Sequence, residues 1–275
     1  MKRSRLPLVL GLSIIAIFLL FSLFPSFFAP YGLKEMDLAL QMPNIKHPLG
    51  TNDLGYDILT ELIYASRNTL SVGLFAAFIS LFIGTLIGVL AGFLPSWKGE
   101  FANALIQVFL MIPMLPMAIV LGSFLGERKL GVILTISLLG WSATARTVRL
   151  RTQELKQSSF VEGLVIVRVP RWRILLFHII PNLYDVVLSR YLLSVSSAIM
   201  VEATLSFLGM GDPTEVTWGR MMNLAYKQGA FLRGAYAWLF LPGICIAMII
   251  IAFYSLDKYI EDRFSEVDGI QSYLD

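Results

Sequence analysis

One cysteine, two histidines and few charges set the first limits on this chain. Cys245 stands alone in an apolar run, which excludes a disulfide framework and a cysteine-rich zinc cluster and reads as a small buried hydrophobe. His47 and His178 fall in different expected compartments, so a two-histidine metal site is excluded as well. No His-Glu-x-x-His zinc helix, Gly-x-Ser-x-Gly nucleophile elbow or Gly-x-x-x-x-Gly-Lys-Ser/Thr phosphate loop occurs. The apolar runs carry no pair of acids poised for proton transfer and no inverted repeat, which argues against an intramembrane enzyme and a secondary transporter.

Charged residues make up 15% of the 275 positions, against 56% hydrophobic, and the mean hydropathy is +0.72. A soluble domain could not cover that much apolar surface with so few charges. The apolar residues come in runs near the ~20 residues that cross a bilayer core of ~30 Å. The fold class expected is an all-α polytopic membrane protein. The net charge of +3 belongs to loops at the inner membrane face rather than to a nucleic-acid surface, because basic residues interleaved with aromatics are confined to one loop.

Six spans are expected, near Leu8 to Phe28, Thr69 to Leu94, Phe101 to Leu121, Leu130 to Val148, Val186 to Leu208 and Ala235 to Leu256. Lys2, Arg3 and Arg5 precede the first, which is too long for a signal-peptide core and lacks a small-x-small cleavage site, so it reads as an uncleaved helix. The densest positive cluster lies between spans four and five and places that loop, with both termini, in the cytoplasm. The chain divides into residues 1–66 (first helix and external arm), 67–256 (the core, including a cytoplasmic loop at 149–185) and 257–275 (a cytoplasmic tail). Two outer segments, Pro30 to Ser66 and Gly209 to Gly234, exceed simple turns. Each suits an ordered cap or a docking surface for an external protein.

Inside the spans, Gly84, Gly88 and Gly92 recur every four residues and form one bare helical face, for close packing or for sliding during gating. Pro113 and Pro116 should kink or break span three, either for packing or to line a translocation path. Glu202, near Met200 late in span five, is an ionisable group in an apolar segment. It either holds the outer loop through backbone amides or meets substrate.

The most informative stretch is the loop Phe160 to Asn182, where apolar residues at helical spacing alternate with Arg168, Arg171 and Arg173 before Pro181. It reads as one or two short amphipathic helices at the membrane surface, with a face free for a soluble partner. Glu162 to Pro181 resembles the EAA loop of permeases in binding-protein-dependent ABC importers, with Gly163-Leu164 in place of the two alanines and Ile179-Ile180-Pro181-Asn182 as its ending. Arg168 stands at the family's glycine position. Because arginine takes positive φ at a cost, the bend is expected at Val169-Pro170 instead. His47-Pro-Leu-Gly-Thr-Asn-Asp-Leu-Gly-Tyr-Asp57 is similar to the segment before span two of the second permease in dipeptide, oligopeptide and nickel importers, with Tyr56 where that family usually has arginine. Glu202-Ala-Thr-Leu-Ser-Phe-Leu-Gly-Met-Gly211 with Trp218-Gly219 resembles the same family's span-five ending.

The resemblance implies a six-helix type I importer permease in a prokaryotic inner membrane. Its partners would be a second, homologous permease, two ATP-binding cassette subunits that use ATP and magnesium, an external solute-binding protein and membrane lipid. This chain would hold no cofactor and hydrolyse nothing itself. Glu162 to Arg173 would be the coupling helix. Leu164, Val165 and Val167 would supply contact area, and the three arginines would set register. Peptide is the first choice of substrate and nickel or a metal chelate the second; a structural or receptor-like subunit without transport is the alternative from another class.

Overall fold

The computed structural model describes residues 6–271. Lys2, Arg3 and Arg5 lie outside them, as do the last residues of the tail, 272–275. Eleven α-helices are found among the described residues: α1 Leu6–Leu23, α2 Pro25–Phe28, α3 Ile58–Phe93, α4 Ser96–Met111, α5 Met114–Leu125, α6 Lys129–Lys156, α7 Ser159–Ile166, α8 Arg171–Ile174, α9 Tyr184–Phe207, α10 Trp218–Lys227 and α11 Tyr236–Gln271. Helices α3, α6, α9 and α11 are long and apolar enough to cross a membrane, and α4 with α5 makes a fifth span if the bent pair counts as one. The 18-residue α1 is apolar apart from Ser13 and Ser22. It stops before Phe28 because Pro25 cannot donate to the preceding turn, so the chain breaks at Phe24 and restarts as α2.

Span three is broken rather than straight. Pro113 follows the extended residue Ile112, and α4 and α5 meet at a bend of 94°. Span two is longer than expected. Helix α3 begins at Ile58 rather than Thr69, because Asp57 caps it by accepting from the Thr60 amide at 2.8 Å. Its 36 residues extend about 54 Å, so its first turns stand beyond a hydrocarbon core of about 30 Å. Helix α11 likewise runs past Leu256 without interruption.

The core is organised on α3. A Cβ on Gly84 would lie 2.6 Å from the Trp141 carbonyl oxygen, one on Gly88 2.6 Å from that of Ala145, and one on Gly92 2.7 Å from Thr152 Cβ. The glycine face therefore meets α6 of the same chain. Lipid supplies no hydrophobic drive for helix pairing, and this backbone-to-backbone approach substitutes van der Waals contact for it. Hydrogen bonds cross the seam as well: Ser80 Oγ donates to the Ser137 carbonyl at 3.2 Å, and Ser137 Oγ lies 3.3 Å from the Ala76 carbonyl.

Candidate functional site

At the Ile58 end of α3 the two long segments, residues 30–66 and 209–234, form an ordered cap. In the arm before α3, His47 Nδ1 lies 2.9 Å from Asp57 Oδ1, and Nε2 lies 3.2 Å from Asp37 Oδ2. Asn52 accepts from the amides of Leu54 and Tyr56, which closes the turn that Gly55 enters at φ +87°. Burial opposes a charged imidazole, but the hydrogen bonds and fields of Asp57 and Asp37 outweigh it, so His47 sits above its ordinary value. Asp37 is held below the usual carboxylate range, first by the Leu38 amide and then by His47.

A histidine raised on folding stabilises fully below its unfolded value of about 6.5, and that contribution is lost as pH rises through the higher folded value. The melting temperature of the wild-type protein in detergent should therefore fall as pH rises above about 6.5, and His47→Gln should flatten that dependence. Parallel curves for the two proteins would contradict the arm's dependence on charged His47.

The second of these segments closes over the first turns of α3. Trp218, fully buried at the start of α10, donates from Nε1 to the Leu62 carbonyl at 3.1 Å and from its amide to Thr69 Oγ1 at 3.2 Å. Asn68 donates to the Val216 carbonyl at 3.0 Å, and the Lys129 amide donates to Asp212 at 2.9 Å. Gly219 is required where α10 crosses α9, since its Cβ would collide with the Ala203 carbonyl oxygen. Glu202 lies under this cap, 1% exposed. Its Oε1 accepts from Ser206 Oγ at 2.7 Å, one turn along the same helix, and the hydroxyls of Thr69 on α3 and Thr217 just before α10 face the same carboxyl. Hydroxyls rather than backbone amides meet Glu202, one of them from the segment that leads into α10. A hydroxyl at i+4 satisfies one oxygen first.

Toward the opposite end of α3, around Val89 and about 46 Å from Ile58 along its axis, the arginine-bearing loop packs on the helix ends. Val161, Ile174, Ile179 and Leu183 are buried against Val89, Val148 and Leu155. That inward set fixes the loop and turns the other face outward. Val165, Ile166 and Val167 are 58%, 79% and 70% exposed, and Trp172 is 55% exposed. Glu162 stands exposed in the first turn of α7, where a carboxylate suits the helix dipole. Gly163 faces open space, so packing does not require a glycine there. Arg171 and Arg173 are exposed, Arg173 lying over the Trp172 ring at 5.2 Å.

The bend does not avoid Arg168. It passes through that residue at φ +58°. The Val169 amide donates to the Leu164 carbonyl at 3.0 Å and the Arg168 amide to that of Val165 at 3.0 Å, the paired bonds of a Schellman ending. Two backbone hydrogen bonds and the packing of Val169 with Leu164 offset the left-handed conformation, and Pro170 then stops the helix. Arg168→Gly should relieve about 1 kcal/mol of that conformation. Hydrogen exchange at the Val169 amide is expected to slow several-fold; unchanged exchange would show that the left-handed turn carries no strain.

After α8 the backbone widens into a π-turn at Leu175–Ile179 and tightens into a 3-10 turn at Ile180–Leu183. Pro181 has no amide proton and cannot continue the α-ladder, and Asn182 instead donates to the His178 carbonyl at 2.6 Å. The loop thus joins α9 through a stiff helical connection. Leu164, expected on the contact face, points partly inward. Ile166 and Trp172, absent from the expected set, dominate the outward face. Their signal was present: Ile166 lies within the short apolar run, and Trp172 sits between two arginines.

Pro113 and Pro116 are exposed at the α4–α5 bend. Met200 is exposed on α9 and lines, with Ser196 and Ser197, an apolar cleft of about 730 Å³ against α11. The loop, the bend and the Glu202 region are separate places on the molecule, joined through α9 and α6.

Residues 84–266 match the family described as binding-protein-dependent transport system inner membrane component. Among curated proteins, the chain is 28% identical over 265 residues to the dipeptide transport system permease protein DppC of Alkalihalophilus pseudofirmus, covering 95% of this chain and 86% of that one. It is 31% identical, with the same coverage, to the glutathione transport system permease protein GsiD of Salmonella typhimurium. Among solved structures, a chain of the MetNI methionine ABC transporter in an inward-facing conformation aligns with a TM-score of 0.59 at 14% identity, covering 73% of this chain and 96% of that one. At that identity the likeness is one of fold. With the family match spanning well over half of its residues, this chain belongs to the inner-membrane permease components of binding-protein-dependent transport systems.

Proposed function

We propose that this chain is one of two permeases in an ABC importer that takes up peptides. It sits in a prokaryotic inner membrane as six spans with both termini inside, α1 and the bent α4–α5 pair completing the set. The observation that carries the reading is the outward apolar face of α7, Val165-Ile166-Val167, set among Glu162, Arg168, Arg171 and Arg173 on a loop clamped to the ends of α3 and α6. A lone membrane subunit gains nothing from exposing three consecutive β-branched residues beside Trp172. A cleft on an ATP-binding cassette subunit would cover them. Closure of the ATPase pair would move α7 and, through the π-turn and Pro181, tilt α9, with the α4–α5 bend taking up the motion. ATP and magnesium would be used in those partner subunits.

The outer cap faces the side from which a solute-binding protein would deliver its load. The relatives named for dipeptide and glutathione transport favour peptide over nickel. Reconstitution of the full assembly in proteoliposomes tests the reading. ATP hydrolysis should rise when peptide-loaded binding protein is added, and labelled peptide should accumulate. Hydrolysis indifferent to the binding protein, with no accumulation, would overturn it.

A further inference from the structure

We propose that a cavity beside Arg190 receives the C-terminal carboxylate of a peptide in transit, an inference that rests on the peptide-import reading above. The cavity, of about 220 Å³, lies where α3, α5, α6 and α9 converge and is lined by Ser80, Met114, Gly140, Arg190, Ser194 and Ser197 among others. It has room for the end of a peptide rather than for all of one. Arg190 stands in the second turn of α9, within an apolar span where a guanidinium is costly unless something meets it.

Its Nε is buried without a hydrogen-bond partner. The carboxylate whose field acts on it, Asp257 of α11, is itself engaged by Ser189 Oγ at 2.5 Å. Arg190 therefore keeps unused donor capacity next to a cavity that also presents hydroxyls. Ser194 makes only a long 3.5 Å contact with Thr144, so it too can turn toward an incoming oxygen. A planar guanidinium flanked by hydroxyl donors matches a carboxylate, the one anionic group that peptides of any sequence share at their C-terminus. Gly140 lines the α6 side, where its missing side chain makes room for the Ser80 hydroxyl, and Met114, the first residue after the Pro113 break, lines the α5 side. Movement at the bend would thus open or cover the pocket, and a site on α9 lies on the helix that the coupling loop drives.

Equilibrium binding to the solubilised complex, without binding protein, tests this with radiolabelled alanyl-phenylalanine as the free acid and as its C-terminal amide. The free acid should bind at least tenfold more tightly than the amide to the wild-type complex. Arg190→Gln should bind the two alike, while Asp257→Asn should keep the preference. Should Arg190→Gln fail to assemble, the paired Ser194→Ala and Ser197→Ala variant should still narrow the difference. Equal binding of acid and amide by the wild type, absence of binding by either, or an undiminished preference in the variants would overturn the site. Peptide uptake that proceeds without acid preference removes the carboxylate site alone, whereas absent uptake removes the import reading itself.

Discussion

Ile166→Asp is expected to leave the chain folded and inserted while cutting ATPase-subunit binding and uptake by more than a hundredfold. The side chain is 79% exposed in the isolated chain, so its replacement disturbs no internal packing. In a docked complex it would be covered. Burying an isoleucine is worth about 1.5–3 kcal/mol, and an unpaired carboxylate in its place adds a desolvation cost of several kcal/mol. Together these exceed the roughly 2.8 kcal/mol that corresponds to a hundredfold change in affinity. Glu162→Lys and Val165→Gly should act at the same surface, the first by reversing charge at the start of α7, the second by removing an exposed apolar side chain and about 0.4 kcal/mol of helix propensity. Co-purification of Ile166→Asp with the ATPase subunits at wild-type yield would remove the docking role of this face.

Gly88→Leu is expected to collapse the fold itself. A Cβ at position 88 would stand 2.6 Å from the Ala145 carbonyl oxygen and 2.9 Å from Val148 Cβ. Those are backbone and a stiff β-branched side chain, and no rotamer change relieves them, so α3 and α6 must separate. Overpacking a tight core costs about 1–3 kcal/mol even for small additions, and leucine adds three more carbons beyond the Cβ. A loss above about 3 kcal/mol is a large part of the stability of an ordinary domain. Size-exclusion profiles in detergent should show aggregate in place of a monodisperse peak, with Gly88→Ala intermediate. A wild-type profile and melting temperature for Gly88→Leu would contradict the close approach of the two helices.

Much of this architecture was legible in the residues. The Gly84, Gly88 and Gly92 spacing marked a face of close approach, although which helix it meets is a tertiary fact that spacing alone does not carry. Pro113 and Pro116 marked the break that becomes a 94° bend. The length of α3 beyond the apolar run was less legible. It follows from the Asp57 cap, which lies in a polar segment that hydropathy reads as loop. The left-handed Arg168 was misjudged because a local cost was weighed without the two backbone bonds that answer it.

Glu202 was read as holding the loop before α10 through backbone amides or as meeting substrate; the groups that face it are hydroxyls, of Ser206 four residues on and of Thr217 in that loop. The cap itself depends on Trp218 reaching Leu62 across 156 positions of sequence, a pairing that no local pattern reveals. In the loop, helical spacing identified an amphipathic element. The division of its apolar residues into an inward set around Val161 and Ile174 and an outward set around Ile166 came from contacts with α3, α6 and α9.

The most direct test of the coupling role is site-specific cross-linking from α7. Cys245 is the chain's one cysteine and can be replaced, leaving Ile166→Cys as the sole thiol in the assembled, reconstituted transporter. A short bifunctional reagent should join that position to an ATPase subunit in high yield, and the yield should change when ATP is bound or hydrolysed. Cross-links only to lipid-exposed or externally added probes, with none to an ATPase subunit in any nucleotide state, would contradict the account.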